Sequence, residues 1–493
     1  MQSVSCQSMR AIEDRAFAVH STAEALMDEA GYKIAQKILH YYPQLQHATA
    51  YLGKGHNAGD AIVVLQHLQQ AGWTVNLQTP LRLNDFAPLT QKKINALGSE
   101  YLQNQQPPAP KSLLIDGLLG IGASGPLRDP ITTLAKSINH HRNKLDCTVI
   151  ALDIPSGVNG DTGEIAKNAV LADHTITIGY PKIGILKSNT VQHVGALSLV
   201  TLPELQPQNA ELAHHPHLIC EHTLTRKRRD FDTHKGQTGR VAIWAGSMGM
   251  LGAAELSATA ALRAGAGLVT VFIEPSLYPI LASMLPPEIM LRPCTSPLKI
   301  LEERFDAIAI GPGIGSPSED ISNQLIEVVR QTSVPTVLDA DMLNLIANQQ
   351  ALPELTHHCI LTPHPGEMRR LLPNATRLSR EETVKQFLEL VPVTLLYKGA
   401  RTLIAQTNSP LFINSTGSPA MATAGQGDVL TGLIAGLCAQ KYDQLEASKI
   451  AVWLAGEAAQ IALASGSETI ETLTAGSILQ HLHFAFSQLP RTT

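Results

Sequence analysis

Short apolar runs that end in glycine beside a polar side chain recur along this sequence, and that recurrence constrains the fold more than any other feature. Ala48–Leu52 leads into Gly53-Lys54-Gly55-His56-Asn57-Ala58-Gly59-Asp60, Ser112–Ile115 into Asp116-Gly117, and Thr148–Leu152 into Asp153-Ile154-Pro155-Ser156-Gly157. The arrangement returns after Val241–Ala245 (Gly246-Ser247-Met248-Gly249) and Ala307–Ile310 (Gly311-Pro312-Gly313-Ile314-Gly315), while Thr336–Leu338 runs into the acidic Asp339-Ala340-Asp341 without a glycine. It closes with Cys359–Leu361 before Thr362-Pro363-His364-Pro365-Gly366-Glu367, and Thr394–Tyr397 before Lys398-Gly399-Ala400-Arg401-Thr402. Such runs read as strands, and the stretches between them carry helical spacing, from Met9–His40 onward. Strands alternating with helices, without an internal repeat, predict doubly wound α/β domains whose ligands gather at the carboxyl ends of the strands. A single Asp or glycine loop after a strand is commonly only a turn. Three such ends in one half are harder to dismiss.

At 493 residues the chain exceeds one ordinary core, so two or three domains are expected. Residues 1–208 form the first, 209–222 a linker mixing Pro, Gln, Asn and His, and 223–493 the second. A net charge of −5 gives no footprint for nucleic acid or an anionic membrane. The six cysteines lack a C-x-x-C pair and read as reduced, buried thiols. The N-terminus has no apolar core of a signal peptide, and Gly252–Ile273 is broken by Glu255 and Arg263, so a cytoplasmic protein is expected. The basic run Arg226–Arg229 reads as a solvated loop, or as a segment near phosphates given the neighbouring His234-Lys235-Gly236.

Met421–Gly436 holds the sharpest candidate chemistry. Gly425-Gln426-Gly427-Asp428 opens a helix whose Leu430, Leu433, Ile434 and Leu437 share a face. Glycines ahead of a helix turn backbone N–H groups toward one point, and the helix dipole adds to them, which makes an anion site. A carboxylate inside it can take a proton from a substrate hydroxyl as that oxygen meets a phosphoryl group. A simple helix N-cap explains Asp428 as well.

In the first half, GKGHNAGDAIV, LIDGLLGIG and ALDIPSGVNGDTG resemble the three signatures of the NAD(P)H-hydrate epimerase domain, also called the YjeF N-terminal domain, over roughly residues 9–205. The resemblance implies a Rossmann-like three-layer domain. It implies a potassium ion at Asn57, Asp116 and Ser156. Substrate contacts would come from His56, Asn57, Ala58, Gly59 and Asp60, from Gly120, Ile121, Gly122, Ala123, Ser124, Gly125 and Pro126, and from Asp153, which is also the candidate acid–base group. The first loop departs from the more usual GPGNNGGDG at His56, Ala58 and Ala61.

In the second half, GPGIG, LDADMLN, TPHPGE, KGART and GQGD, in that order, resemble the ADP/ATP-dependent NAD(P)H-hydrate dehydratase domain of the ribokinase-like superfamily, over about residues 222–488. The implied substrate contacts are Ala253, Gly313, His364 and the base Asp428. The implied nucleotide contacts are Lys398, Gly399, Ala400, Arg401, Thr402 and Gly427, and Glu367 matches an acid that positions magnesium through water. Asp339 and Asp341 are further candidates, Asp341 equally as a helix cap. Gln426 and Ala420 replace the usual Ser or Thr and Gly.

A chain carrying both halves is identified as a member of the bifunctional nicotinamide-nucleotide repair enzymes. It would epimerise R and S NADHX and NADPHX and dehydrate the S epimer to NADH or NADPH with ADP or ATP as co-substrate. The resemblance implies a homo-oligomer. The alternative is a ribokinase-like vitamin or sugar kinase fused to a non-catalytic scaffold domain, which retention of Asn57, Asp116, Asp153 and Ser156 together argues against.

Overall fold

The computed structural model describes residues 1–19, 21–208, 211 and 215–492; Asn209, Ala210 and 212–214 of the expected linker lie outside the described residues, as do His20 and Thr493. The chain divides into two compact units, Met1–Leu218 and Ile219–Thr493.

In the first unit β1 (His47–Leu52), β2 (Thr74–Gln78), β3 (Leu113–Gly117), β4 (Thr148–Leu152), β5 (His174–Ile178) and β6 (Ala196–Val200) form one parallel sheet. Its order, β2-β1-β3-β4-β5-β6, reverses winding between β1 and β3. A crevice opens at such a reversal because the crossovers on either side leave in opposite directions. Val149, Ile150, Ala151 and Leu152 of β4 are all 0% exposed, as expected for a central parallel strand covered on both faces. Asp116 lies inside β3 rather than after it.

Two expectations change here. The helix read over Met9–His40 is two helices, Cys6–Val19 and Ala23–Tyr41. Thr22 caps the second, its side chain accepting from the Ala25 N–H at 3.1 Å, and this ends the first run. The first glycine loop is also shorter than expected. Its helix, His56–Gln70, already begins at His56, with Gly55 at the cap. Ala58 therefore sits in a helical conformation and is 0% exposed, so the missing glycine costs no backbone strain. Ala58→Gly should instead lower stability by at least about 0.5–1 kcal/mol, read as a lower urea midpoint; a raised midpoint would mean the backbone there needs glycine.

The second unit carries β7 (His217–Ile219, at the boundary), β8 (Arg240–Trp244), β9 (Leu268–Ile273), β10 (Met290–Pro293), β11 (Ala307–Ile310), β12 (Thr336–Leu338), β13 (Cys359–Leu361), β14 (Thr394–Tyr397), β15 (Leu403–Ala405) and β16 (Phe412–Asn414). The order is β10-β9-β8-β11-β12-β13-β14-β15-β16-β7, with winding reversed between β8 and β11. β8 to β14 pair in parallel, while β14–β15 and β15–β16 are antiparallel. Lys398–Thr402 is thus the connection of a hairpin, and no crossover follows it.

Three residues of the basic run 226–229 bind carbonyl groups. The Lys227 ammonium donates to the carbonyl oxygens of Gln440, at 3.3 Å, and Lys441, at 2.6 Å. Arg229 donates to Gly265 O and to the Gln440 side chain, and Arg226 to Leu489 O. Cations here face the carbonyl end of the helix Gln426–Ala439, the end opposite Asp428, where its dipole is negative. All six cysteines are free thiols, five buried and Cys294 only half-buried. Among the described residues, no helix is long and apolar enough to cross a membrane.

Candidate functional sites

In the first unit the carboxyl ends of β1, β3 and β4 open into a cavity of about 1340 Å³. That exceeds the roughly 300–1,000 Å³ of a typical small-ligand site and suits a dinucleotide. Close approach shapes its floor. A Cβ on Gly53 would lie 1.9 Å from the Leu118 carbonyl oxygen, so only glycine lets the loops after β1 and β3 meet.

The three expected cation ligands converge on the turn at Leu118-Leu119. Asn57 Nδ2 donates to Leu119 O at 2.8 Å, and Leu119 N–H donates to Ser156 Oγ at 3.0 Å. Ser156 Oγ donates in turn to Asp116 Oδ1 at 2.7 Å, and Ser156 N–H to Oδ2 at 2.8 Å. Asp116 is 0% exposed, and burial pushes its carboxyl up to about 6 against the lowering effect of the Ser156 hydrogen bonds. Every donor to it is neutral, so a cation beside it would offset the burial.

Asp153 stands at the end of β4 with φ +64° and is buried. Its Oδ1 accepts from Thr177 Oγ1 and from Ile178 N–H, both at 3.0 Å, and from the Lys182 ammonium. Lys182 also donates to Ile178 O at 2.8 Å. Two more carboxyl groups line the same cavity. Burial raises Asp60 well above the ordinary range, with Asp153 and Glu13 adding to it. Burial likewise raises Glu13 to about 7, with Lys182 opposing and Asp153 adding. Residues 120–126 line the mouth with His56, while Ala58 and Gly59 are buried behind the wall.

In the second unit the GQGD stretch lies beside the ends of β12 and β14. Gly425 is the cap of the helix Gln426–Ala439 in a left-handed conformation, φ +86°. Asp428 is therefore its third residue, not its N-cap. Among the described residues its half-buried carboxyl makes no hydrogen bond. Burial raises it to about 6, repulsion from Asp339 adds, and Lys398 opposes. Lys398 Nζ donates to Asp339 Oδ1 at 2.7 Å, and Thr431 Oγ1 donates to Oδ2 at 2.8 Å. Burial draws the Lys398 ammonium down, but Asp339, Glu367 and Asp428 outweigh it and leave it raised. A Cβ on Gly427 would lie 3.4 Å from both Asp339 Oδ2 and Lys398 Nζ, so Gly427 borders this pair directly.

The other motifs lie around this centre. Asp341 does not cap its helix. Its Oδ2 accepts from Gly315 N–H at 2.8 Å and holds the GPGIG loop. Gly246 N–H donates to Pro312 O at 2.9 Å, joining the loops after β8 and β11, and Gly313 lies against Ala253 and Met250. His364 caps the helix Pro365–Leu371, its Nδ1 accepting from Gly366 N–H at 2.8 Å, while Glu367 Oε2 accepts from His364 N–H at 2.7 Å. Burial raises buried Glu367 despite Lys398 nearby. Gly399 and Ala400 are exposed at the hairpin tip, whereas Arg401 is only 4% exposed.

Lys182, Glu13 and Arg380 are the residues that motif reading misses. Lys182 follows β5, a strand that carries no glycine-rich signature, and Glu13 belongs to a helix without a motif. Arg380 supports the hairpin connection 398–402 from outside. It donates to Arg401 O at 2.9 Å and Tyr397 O at 2.8 Å, and to Lys398 O at 3.2 Å. A Cβ on Gly399 would lie 2.7 Å from Arg380 Nη2. Gly399→Val should then push Arg380 off these carbonyls and weaken ADP or ATP binding tenfold or more, about 1.4 kcal/mol, with the chain still folded. Unchanged affinity by calorimetry would mean the hairpin does not touch nucleotide.

Comparison with known proteins gives two family matches. The family described as YjeF-related protein N-terminus matches residues 23–184, and the family described as NAD(P)H-hydrate dehydratase matches residues 241–481. A protein of Synechocystis named as a bifunctional NAD(P)H-hydrate repair enzyme is 33% identical, over 97% of this chain and 94% of its own length. One of the same description from Escherichia coli is 32% identical over 89% of this chain and 85% of its own. A crystal structure of a ribokinase-like superfamily protein from Enterococcus faecalis superposes with a TM-score of 0.50 at 26% identity, covering 55% of this chain and 96% of that one.

Proposed function

Because this chain belongs to the family of bifunctional NAD(P)H-hydrate repair enzymes, we propose that its first unit interconverts the R and S epimers of NADHX and NADPHX, and that its second dehydrates the S epimer to NADH or NADPH at the expense of ADP or ATP. The observation that carries the second activity is Asp428, a half-buried carboxyl with no hydrogen-bond partner among the described residues, at the amino end of a helix and beside the Lys398–Asp339 pair. Hydroxide is a poor leaving group at neutral pH, and a phosphorylated hydroxyl leaves readily. Asp428 takes the hydroxyl proton as the oxygen attacks the terminal phosphoryl group. The N–H groups that open the helix face the charge on that group, and Lys398 balances it. Loss of phosphate and a ring proton then restores the nicotinamide double bond.

Ala253, Gly313 and His364 border the dinucleotide in this reading, and Lys398–Thr402 with Gly427 the adenine nucleotide. Glu367 would position magnesium through water, its Oε2 being engaged by the His364 N–H; the ion would neutralise phosphate charge there. Asn57, Asp116 and Ser156 fit potassium, because Asp116 is a fully buried carboxylate whose donors are all neutral. That ion would favour an anionic dinucleotide in the cavity. Asp153, paired with the Lys182 ammonium, moves the proton of the epimerised hydroxyl, and His56, Asn57 and Asp60 line the substrate with the loop 120–126. A cytoplasmic homo-oligomer accords with this reading. Similarity to named relatives across both halves disfavours a kinase fused to a scaffold.

The test is spectroscopic. Purified protein, magnesium and ADP or ATP are added to mixed NADHX epimers and absorbance is followed at 340 nm. Full recovery of NADH means both activities, recovery of the S share alone means dehydration only, and none removes the reading.

A further inference from the structure

We propose that Glu13 is the second acid–base group of the epimerisation, exchanging a proton with the ring nitrogen while Asp153 exchanges one with the hydroxyl; this rests on the epimerase reading of the first unit. Glu13 lies ahead of the region matched by the family, which begins at residue 23.

The geometry comes from the helix Cys6–Val19. Arg10, Glu13 and Phe17, three and four residues apart, share one face of it and all line the cavity. Arg10 Nη2 donates to Ile121 O at 3.2 Å, which ties this helix to the loop 120–126 at the cavity mouth. The Glu13 carboxyl is half-buried and makes no hydrogen bond among the described residues. A carboxyl drawn from water without a partner is costly unless a ligand supplies one. Asp153 is its opposite, held by three donors including the Lys182 ammonium. The charges acting on Glu13 are those of Lys182, Asp153, Asp14 and Arg10, and Glu13 in turn acts on Asp60. Asp153 is thus held in place by its donors, whereas the Glu13 carboxyl, raised to about 7 chiefly by burial, can deliver a proton near neutral pH.

Two carboxyl groups lining one cavity suit the substrate, because its C6 carries both the hydroxyl and N1. The hydroxyl proton passes to Asp153, and the O–H electron pair becomes the second bond of a C6 carbonyl. The C6–N1 pair leaves on nitrogen, which takes the proton of Glu13. Rotation about C5–C6 turns the other carbonyl face to N1. Nitrogen then attacks C6, its proton returns to Glu13, and the oxygen recovers its proton from Asp153. Both residues end as they began, and no other reactant is consumed.

The experiment uses the full chain with magnesium, ADP and separated R-NADHX, read at 340 nm and corrected for spontaneous epimerisation. Glu13→Gln should slow R-epimer consumption about 100-fold or more and leave S-epimer consumption unchanged. Glu13→Asp should recover at least about tenfold over the Gln variant. The wild-type rate should fall as pH rises through about 7, where the acid loses its proton, and this limb should vanish in Glu13→Gln. Wild type that consumes no R epimer above the spontaneous rate would remove the epimerase reading itself. Active wild type with a Gln variant within about threefold of it, or equal loss in both variants with a lowered melting temperature, would overturn the role of Glu13.

Discussion

Asp428→Asn should leave the chain folded, slow S-epimer dehydration by about 10²- to 10⁴-fold and leave R-to-S epimerisation at the wild-type rate. The change keeps size and removes only the ionisable oxygen. Since Gly425 is the helix cap and Asp428 makes no hydrogen bond among the described residues, no hydrogen bond there is lost with it. Stability should even rise at neutral pH. Burial pushes the folded carboxyl up to about 6, above the ordinary aspartate value of 3.8, so the folded state holds more protons between those limits. The stability linked to this group is complete below the lower value and is lost as pH rises through the upper one. An Asn, neutral throughout, escapes that loss, and its melting temperature at pH 7 should equal or exceed that of wild type. The activity limb runs the other way: wild-type dehydration falls as pH drops through about 6 because the base is protonated, and the variant lacks this limb. Normal turnover by the variant, or equal loss of both activities, would contradict the role given to Asp428.

Most of the strand ends are legible because an apolar run meets glycine and a polar side chain within a few residues. β4 and β11 to β14 accordingly begin and end where the apolar runs do. β5 and β6 also alternate or run apolar, but His174-Thr175 and Ser198 interrupt the pattern, and neither strand ends in a chemistry-bearing motif. With β5 unread, Lys182 was unread too, since its meaning depends on lying beside the end of β4. Arg380 is hidden for a similar reason: its task is to hold three carbonyls of a hairpin about twenty residues away in sequence, and backbone carbonyls carry no residue signature. The break at Thr22 had a local signal, a Thr cap ahead of Ala23-Glu24, which the longer helical period obscured. The basic run 226–229 shows the converse. Its charge was evident, but which end of the helix Gln426–Ala439 it would meet depended on the tertiary fold.

Asp153→Asn should abolish R-epimer consumption above the spontaneous rate, so that a mixed sample yields at early times only the NADH held in its S share. Asn is the informative replacement because the residue sits at φ +64°, a region Asn tolerates better than most side chains, so the backbone is not strained by the exchange. What changes is charge. The Lys182 side chain is 1% exposed and loses the one carboxylate it pairs with among the described residues, at a cost of up to about 3–5 kcal/mol for a broken buried pair. Loss of activity could then reflect a loosened site, so a second variant separates the causes. Lys182→Met with Asp153→Asn removes both charges and should recover most of the lost melting temperature while R-epimer consumption stays absent. Recovery of stability without activity assigns the proton transfer to the Asp153 carboxylate itself. A double variant that regains epimerisation, or a single Asn variant that consumes R epimer at the wild-type rate, would show that the pair only supports the fold.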